Sequence, residues 1–396
     1  MPTRSPRGPA RRAQVPPFAV MSVLDEVARL RASGRDVISL CAGEPSGGAP
    51  MAVHARAAAL HTDAAELGYS PALGIAPLRE AVAAHYARWY GLAVDPGEVA
   101  ITTGSSGAFL LAFLAAFEPG SRVALTRPGY PAYRNILAAL GCEVVEIDVR
   151  GTDFQPTTAQ LAQAGPLAGL VLASPANPTG SMVSRDQLAE IVTWCVDHGV
   201  RVVSDEIYHG IVYPPPAPTA GSRGTCAWEL DRDAVVVSSF SKYWGMTGWR
   251  LGWALVPEDL RDAVDALAGN LALCPPVPAQ HAALAAFTPE SYAEADARVA
   301  ALAQSREVAL AGADRLSWGP MAPADGAFYL YAGVPLGPHA DSVSWCRALL
   351  AEQGVALVPG VDFDSVGGTD YVRLSFAAGA DAVARALKRI AAFQEG

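Results

Sequence analysis

The chain has 396 residues, 51% of them apolar and 17% charged, so it can bury a large core and is not an intrinsically disordered protein. Its 29 basic and 39 acidic residues give a net charge of −10, which excludes the broad basic face that nucleic-acid binding requires. The longest apolar run, residues 108–117, is roughly half the length of a membrane-spanning helix, so we expect no membrane span.

Cysteine usage and the first residues indicate the compartment. The six cysteines are scattered along the chain with no CxxC pair, which argues against a zinc module or a disulfide scaffold and favours a reducing, cytoplasmic location. Residues 1–17 contain four arginines and five prolines, which predicts a flexible arm instead of a signal peptide. The prolines would also break the amphipathic helix of a transit peptide.

From residue 18 onward, short apolar strands alternate with longer helical patterns, the order that builds a mostly parallel sheet covered by helices. A helix is predicted over 77–90, because an early proline is followed by an apolar stripe. Ser184 and Gln187 form a capping box that predicts a helix ended by Gly199. The seven strands expected in this sheet are VAIT (99–102), RVAL (122–125), EVVEI (143–147), GLVLA (169–173), VRVVS (200–204), AVVVS (234–238) and LGWAL (251–255).

The pattern changes beyond the proline-rich stretch CPPVP at 274–278, which predicts a smaller second domain of the α+β class. A second proline-rich stretch, PPPAP, occupies 214–218. The elements expected in the small domain are a long helix over 290–310, strand AFYLY (327–331), a helix, strands VALVP (355–359) and YVRLSF (371–376), and a last amphipathic helix. The predicted parts are the arm (1–17), a segment that joins the small domain (18–49), the large domain (50–275) and the small domain (276–396).

Polar residues follow the first strands at the edge where open parallel sheets bind their ligands. Strand VAIT leads into Gly104, Ser105 and Ser106, which open a helix whose N–H groups and dipole favour a phosphate; an ordinary Gly-Ser turn would have the same sequence. Strand GLVLA leads to Asn177, which offers a fixed amide or belongs to a plain turn.

Charged residues follow the later strands. Strand VRVVS is followed by Asp205, and a carboxylate at a buried strand end needs a cationic partner. Strand AVVVS leads to Lys242, whose amine could form a Schiff base if burial lowers its pKa, although most lysines are solvated surface residues. Arg250 and Arg373 are compatible with surface positions, and Arg373 lies on the strand face opposite the apolar residues.

Together these residues provide the partners that pyridoxal 5'-phosphate needs. Phosphate donors, a basic anchor, an amide, a carboxylate for the ring nitrogen and an amine for the aldehyde all occur at strand ends. No metal site is predicted. Because several independent features agree, the combination indicates this cofactor more strongly than any one residue does.

The sequence resembles the class I/II aminotransferases of the fold-type-I enzymes over about residues 18–390. The motifs that carry the resemblance are GEP (43–45), YSP (69–71), GSS (104–106), PGYP (128–131), NPTG (177–180), SDEIY (204–208), SFSK (239–242) and Arg373. SFSK followed by MTGWR (246–250) is the most specific of them. The resemblance implies an α/β fold with a seven-stranded, mostly parallel sheet, a smaller α+β domain, and transfer of an amino group between an L-amino acid and a 2-oxo acid.

The resemblance also implies roles for individual residues. Lys242 would form the Schiff base and move the substrate proton, Asp205 would pair with the ring nitrogen, and Asn177 and Tyr208 would bond the ring oxygen. Arg373 would hold the substrate carboxylate with the backbone of Gly43 nearby. The residues implied around the phosphate and ring are Gly104, Ser105, Ser106, Ser239, Arg250 and Tyr130, together with Tyr69 from the neighbouring subunit of a homodimer.

Substrate and reaction are less constrained by the sequence. Phe18 and Tyr69 favour an apolar or aromatic side chain, no arginine for a distal carboxylate can be placed, and His209 fits either the site or the core. A β-lyase, or a cyclising or oxidising enzyme with the same cofactor, would use the same residues. A DNA-binding regulator would need a module larger than the arm.

Overall fold

The structure is a computed structural model that describes residues 8–213 and 223–395. The start of the predicted arm, residues 1–7, and the proline-rich stretch 214–218 lie outside the described residues. Residues 8–17 of the arm are exposed and contain one 3-10 turn, Arg11–Ala13. Within the described residues, no helix is both long and apolar enough to cross a membrane.

Helices form where the sequence supplies apolar stripes between breakers. The described residues form the helices α1 Ala19–Ala32, α2 Met51–Thr62, α3 Ala76–Tyr90, α4 Gly104–Ala116, α5 Pro131–Leu140, α6 Thr158–Gln163, α7 Arg185–Asp197, α8 Arg261–Ala272, α9 Val277–Ala283, α10 Pro289–Arg315, α11 Ser342–Gln353 and α12 Ala380–Glu395. Helix α3 has a proline in its first turn and ends at Gly91, whose φ of 66° is left-handed. The capping box of α7 is half formed: Ser184 accepts from the Gln187 amide, but the Gln187 side chain donates to Pro156.

Strands β1 to β12 form three sheets. They are β1 Ile38–Ser39, β2 Val99–Thr102, β3 Arg122–Arg127, β4 Glu143–Asp148, β5 Gly169–Ala173, β6 Arg201–Asp205, β7 Val235–Ser239, β8 Gly252–Leu255, β9 Tyr329–Gly333, β10 Val355–Ala356, β11 Val358–Pro359 and β12 Tyr371–Ser375. The large sheet has the order β2-β8-β7-β6-β5-β3-β4, and β8 alone runs antiparallel to its neighbours. The predicted seven-stranded, mostly parallel sheet is therefore confirmed.

Helices cover both faces of the large sheet because its strands are apolar on both sides. On β7, Val236 packs into one core while Val235 and Val237 pack into the other. Helix α7 contributes Ile191 to the first core, and α4 contributes Phe113 to the second. This double burial leaves the strand ends as the places where polar side chains can gather.

The second part of the chain forms a small antiparallel sheet with the order β11-β12-β9. The predicted strand 355–359 divides at the buried Leu357: β10 pairs with β1 near the start of the chain, and β11 pairs with β12. Because this pairing ties residues 38–39 to the last third of the chain, we propose that segment 18–49 belongs with the small domain.

All six cysteines are free and five are buried, and a cytoplasmic location stays a prediction.

Candidate active site

A cavity of about 360 Å³ lies at the carboxyl edge of the large sheet. Ten of the predicted site residues line it: Gly43, Ser105, Ser106, Tyr130, Asn177, Asp205, Tyr208, Lys242, Arg250 and Arg373. Three do not. Gly104 is the first residue of α4, Ser239 is buried at the end of β7, and Tyr69 is 85% exposed. The cavity therefore brings together residues spread over more than 300 positions of the chain.

Lys242 supplies an amine to the cavity. It follows β7, and its Nζ donates to the carbonyl oxygen of Gly43 at 2.6 Å. Burial lowers the pKa of Lys242 to about 8, with Arg373 and Arg250 adding repulsion. The amine is thus closer to its neutral, nucleophilic form at neutral pH than a surface lysine is.

Asp205 ends β6 and is buried. The Tyr133 hydroxyl donates to its Oδ2, and the Ile207 amide donates to its Oδ1 at 3.1 Å. Burial raises the pKa of Asp205 to about 6 in spite of these bonds, and within the described chain Lys242 is the cation that lowers it. No guanidinium or ammonium of the described residues is bonded to Asp205, so its need for a cationic partner stays a prediction.

The antiparallel strand β8 shapes an anion-binding corner. Because β8 runs against its neighbours, its first residue, Gly252, lies beside Thr102 and Ser239 at the carboxyl edge. A Cβ at Gly252 would lie 2.8 Å from the Ser105 amide nitrogen, and one at Gly104 would lie 2.5 Å from Arg250 Nη2. Glycine at both positions lets the guanidinium reach the N-terminus of α4, where N–H groups favour an anion.

Arg373 is buried and does not face solvent, so the surface alternative for this residue is wrong. The strand that carries it, β12, is the central strand of the small sheet and is covered by the N-terminal segment. Its Nη1 donates to Asn177 Oδ1 and its Nη2 to the Cys41 carbonyl oxygen, both at 2.9 Å. Its Nε is buried and has no hydrogen-bond partner among the described residues, so this guanidinium is not fully satisfied by the protein.

The family follows from comparison with known proteins. The family model "Aminotransferase class I and II" matches residues 35–390. The chain belongs to this family. The aminotransferase is 54% identical to the valine–pyruvate aminotransferase of Mycobacterium tuberculosis over 96% of this chain and 97% of that one. It is 32% identical to the aspartate aminotransferase of Geobacillus stearothermophilus, with 97% and 98% covered.

Solved structures agree with this assignment. An aminotransferase from Mycobacterium tuberculosis superposes with a TM-score of 0.93 at 52% identity, covering 98% of this chain and 99% of that one. The aspartate aminotransferase of Thermus thermophilus with maleate superposes with a TM-score of 0.89 at 31% identity, with the same coverage. The predicted family, the fold and the transfer of amino groups between amino acids and 2-oxo acids are confirmed.

Sequence reasoning missed several residues that line the cavity of the aminotransferase. The Tyr329 hydroxyl bonds that of Tyr208 at 2.8 Å, and its ring lies 4.4 Å from the Arg373 guanidinium carbon. Tyr133, which holds Asp205, stands one helical turn after Tyr130, so helical spacing could have indicated it. Ser241 also lines the cavity, and its Oγ accepts from Ser239, whose hydroxyl is thereby engaged. Tyr329 gave no such signal, because its position depends on the register between β9 and β12.

His209 lies outside the cavity, in a buried polar cluster behind Asp205. Its Nδ1 bonds the Tyr90 hydroxyl at 2.7 Å and lies 3.4 Å from Glu206 Oε2. Glu206 Oε1 accepts from the Ser204 hydroxyl and from the Ala227 amide, while Oε2 has no hydrogen-bond partner in the part of the chain that the structure describes. Burial raises the pKa of Glu206 to about 8 and lowers that of His209 to about 3, so the cluster is neutral when protonated at Glu206.

The Glu206→Gln substitution should flatten the pH dependence of stability of the aminotransferase. The pKa of Glu206 in the folded protein, about 8, lies above the ordinary value of 4.5. The stability that the protonated carboxyl group contributes to the fold is therefore complete below pH 4.5 and is lost as the pH rises through 8. Between about pH 5 and about pH 9, we expect the free energy of unfolding of the wild type to fall by a few kcal/mol relative to that of the variant. Urea unfolding of both proteins across this pH range measures the difference in their free energies of unfolding. The exposed Glu143→Gln is the control, and equal slopes for both variants would contradict the expectation.

Proposed function

We propose that this aminotransferase binds pyridoxal 5'-phosphate in the cavity and prefers amino donors with apolar side chains. One observation carries the proposal: the cavity joins the buried amine of Lys242 to the buried guanidinium of Arg373, whose Nε has no partner within residues 8–213 and 223–395. An amine suits the cofactor aldehyde, and a guanidinium suits the carboxylate of an amino acid.

The residues present fit this cofactor. Asp205 is buried and none of the described residues places a bonded cation against it, whereas a protonated ring nitrogen would supply one. Gly104 and Gly252 open a corner where Arg250 and the N-terminus of α4 would hold the phosphate, with Ser105, Ser106 and the Ser239–Ser241 pair around it. The Tyr130 ring, which lies on the cavity wall, offers a face for stacking.

When bound, pyridoxal 5'-phosphate supplies an aldehyde that receives the amino group and a ring that accepts the electrons of the Cα–H bond. Lys242 Nζ would bind the aldehyde carbon and later hold the proton taken from the substrate Cα, because its pKa near 8 leaves a neutral fraction at neutral pH. Asp205 would keep a proton on the ring nitrogen. Asn177 and Tyr208 would donate hydrogen bonds to the ring oxygen.

Arg373 would bind the substrate α-carboxylate near the backbone of Gly43. Its two Nη atoms are fixed by Asn177 and Cys41, and its guanidinium carbon lies 4.4 Å from the Tyr329 ring and 4.7 Å from the Phe363 ring. These contacts fix the guanidinium plane before substrate arrives. A planar, preoriented fork binds a carboxylate more tightly than an ammonium can.

The Arg373→Lys substitution should therefore raise KM for the amino donor on the order of 100-fold, equivalent to about 3 kcal/mol. We expect kcat to change less, because Lys242 and Asp205 remain. Steady-state kinetics with varied donor measures it. The matched control is Arg306→Lys, a partly buried arginine that donates to Ala324 away from the cavity. An unchanged donor KM in the Arg373 variant would contradict the assigned role.

The cavity wall supports an apolar side chain. Phe18, Val20, Met21, Leu24 and Ile136 form an apolar part of the lining. Among the described residues, the arginines that line the cavity are Arg250 and Arg373, both already assigned, so a distal carboxylate has no arginine of its own. The similarity to a valine–pyruvate aminotransferase supports valine and pyruvate as the first pair to test.

A donor panel tests this function. Purified enzyme is given L-valine, L-leucine, L-phenylalanine or L-aspartate with pyruvate, and alanine formation is measured. We expect the apolar donors to react with higher kcat/KM than aspartate. The lyase alternative needs a substrate with a leaving group on Cβ, so S-methyl-L-cysteine is tested as the sole substrate without a 2-oxo acid. Continuous release of ammonia and pyruvate from it, with no alanine formed from the apolar donors, would indicate a lyase and overturn the proposal.

A homodimer with shared sites is part of the proposal. Tyr69 is 85% exposed and is not among the described residues that line the cavity of its own subunit, as expected of a residue that reaches a neighbouring subunit. Leu271 and Leu273 are about half exposed, and an apolar groove of about 340 Å³ beside α4 and α8 includes Leu271. Light scattering should give twice the chain mass of 41.1 kDa, and a monomer would contradict the shared site.

A further inference from the structure

The helix that forms the apolar wall of the cavity is capped by a residue far away in the chain. Helix α1 begins after Phe18, which has no side chain able to accept hydrogen bonds from the first turn. Asp362 supplies the acceptors: Oδ1 accepts from the Ala19 amide at 3.0 Å and Oδ2 from the Val20 amide at 3.3 Å. Its negative charge also suits the positive end of the helix dipole.

Asp362 belongs to a segment that contacts three parts of the cavity. The ring of the next residue, Phe363, lies 4.7 Å from the Arg373 guanidinium carbon. The Phe363 carbonyl oxygen accepts from the Gly129 amide at 3.1 Å, just before Tyr130. Residues 362–363 thus connect three parts of the cavity: α1, residues 128–130 before α5 (the Tyr130 loop), and Arg373, the arginine proposed to bind the substrate carboxylate.

The wall that α1 presents is apolar and continuous with the Tyr130 loop. Val20, Met21 and Leu24 line the cavity, and the Phe18 ring stacks on Tyr130 with centroids 6.2 Å apart and planes 12° from parallel. Since the substrate carboxylate would be fixed at Arg373, the distance from Arg373 to this wall limits the side chain that fits between them.

We infer that Asp362 is a positioning residue for substrate selection: by capping α1, it sets the distance between the apolar wall and Arg373 and so the size of aliphatic side chain accepted. This inference rests on the proposed function. It predicts that Asp362 affects the binding of a valine-sized donor more than that of an alanine-sized donor, because the larger side chain would bury more apolar area against the wall.

The test compares L-valine and L-alanine as donors in the holoenzyme. For Asp362→Ala we expect KM for valine to rise about tenfold, KM for alanine to rise less, and kcat with either donor to change little. Asp362→Asn keeps one acceptor oxygen and should fall between wild type and the alanine variant. Asp341→Ala is the matched control, because Asp341 caps α11 through the Ser344 amide and does not line the cavity.

A second variant shows whether Asp362 acts through α1. Leu24→Ala should raise the valine KM on its own, and combining it with Asp362→Ala should add less than the sum of the two effects. Strictly additive effects, or equal losses of kcat for both donors, would overturn the inference and indicate a merely structural cap. If a folded Asp362→Ala enzyme keeps the wild-type ratio of the KM for valine to the KM for alanine, the inference about Asp362 is overturned while the proposed function stands. A wild type inactive with every apolar donor would overturn both.

Discussion

Replacing Lys242 with alanine should lower transamination by roughly four orders of magnitude, because the change removes both the amine assigned to the aldehyde and the base assigned to the substrate proton. The bond to the Gly43 carbonyl oxygen holds this amine in the cavity, and burial lowers its pKa to about 8. Single-turnover kinetics with L-valine measure the loss. A variant with activity within tenfold of wild type would contradict the assignment.

The chain provides an unusually simple control for this experiment. It contains only two lysines, and the other, Lys388, is exposed on α12. Lys388→Ala should leave activity unchanged. Borohydride reduction of the holoenzyme followed by peptide mass analysis should place the cofactor on the peptide that contains Lys242, and an adduct on the Lys388 peptide, or on neither, would exclude the proposed attachment.

Asp205→Asn should lower kcat on the order of 10³-fold, because a neutral amide cannot keep the ring nitrogen protonated as a carboxylate does. The asparagine has the same shape, so the loss reports charge and not packing. The burial that raises the pKa of Asp205 to about 6 makes the charge costly unless a cation is bound opposite it. Measuring kcat together with the visible absorbance of bound cofactor separates slow chemistry from cofactor loss.

Tyr133→Phe is a milder change at the same site as Asp205→Asn. It removes the hydrogen bond to Asp205 Oδ2 but keeps the carboxylate, so we expect a loss of about tenfold. An Asp205→Asn enzyme that retains its cofactor and reacts within tenfold of wild type would remove Asp205 from the mechanism. A larger loss for Tyr133→Phe than for Asp205→Asn would likewise contradict the assigned order of importance.

The large sheet was predictable because doubly buried strands are continuous apolar runs. All seven were placed within two residues of their ends, and the edge where ligands bind followed from the topology. The sequence alone therefore predicts that Asp205 and Lys242 share one site, since each directly or closely follows a strand of that sheet.

Contacts between distant segments could not be predicted in the same way. The burial of Arg373 depends on Cys41 and Asn177, which come from other parts of the chain. The cap on α1 joins residues 343 positions apart, and no local pattern marks Asp362 as its partner. At Ser184 the local motif correctly predicted the start of α7. The Gln187 side chain, however, donates to the Pro156 carbonyl oxygen and does not accept from the Ser184 amide, and this distant contact was not predictable from the motif.

The reversed direction of β8 has a consequence for how this chain can vary. Lys242 and Arg250 lie on one short connection between β7 and β8, so the residue proposed for covalent attachment and the residue proposed to bind the phosphate share a single stretch of backbone. An inserted or deleted residue between Lys242 and Arg250 would displace one side chain relative to the other. The strands on either side could not compensate, because a shift of one residue would break their pairing register. Length variation among relatives should therefore be excluded from residues 242–250 and concentrated in loops outside the sheet edge.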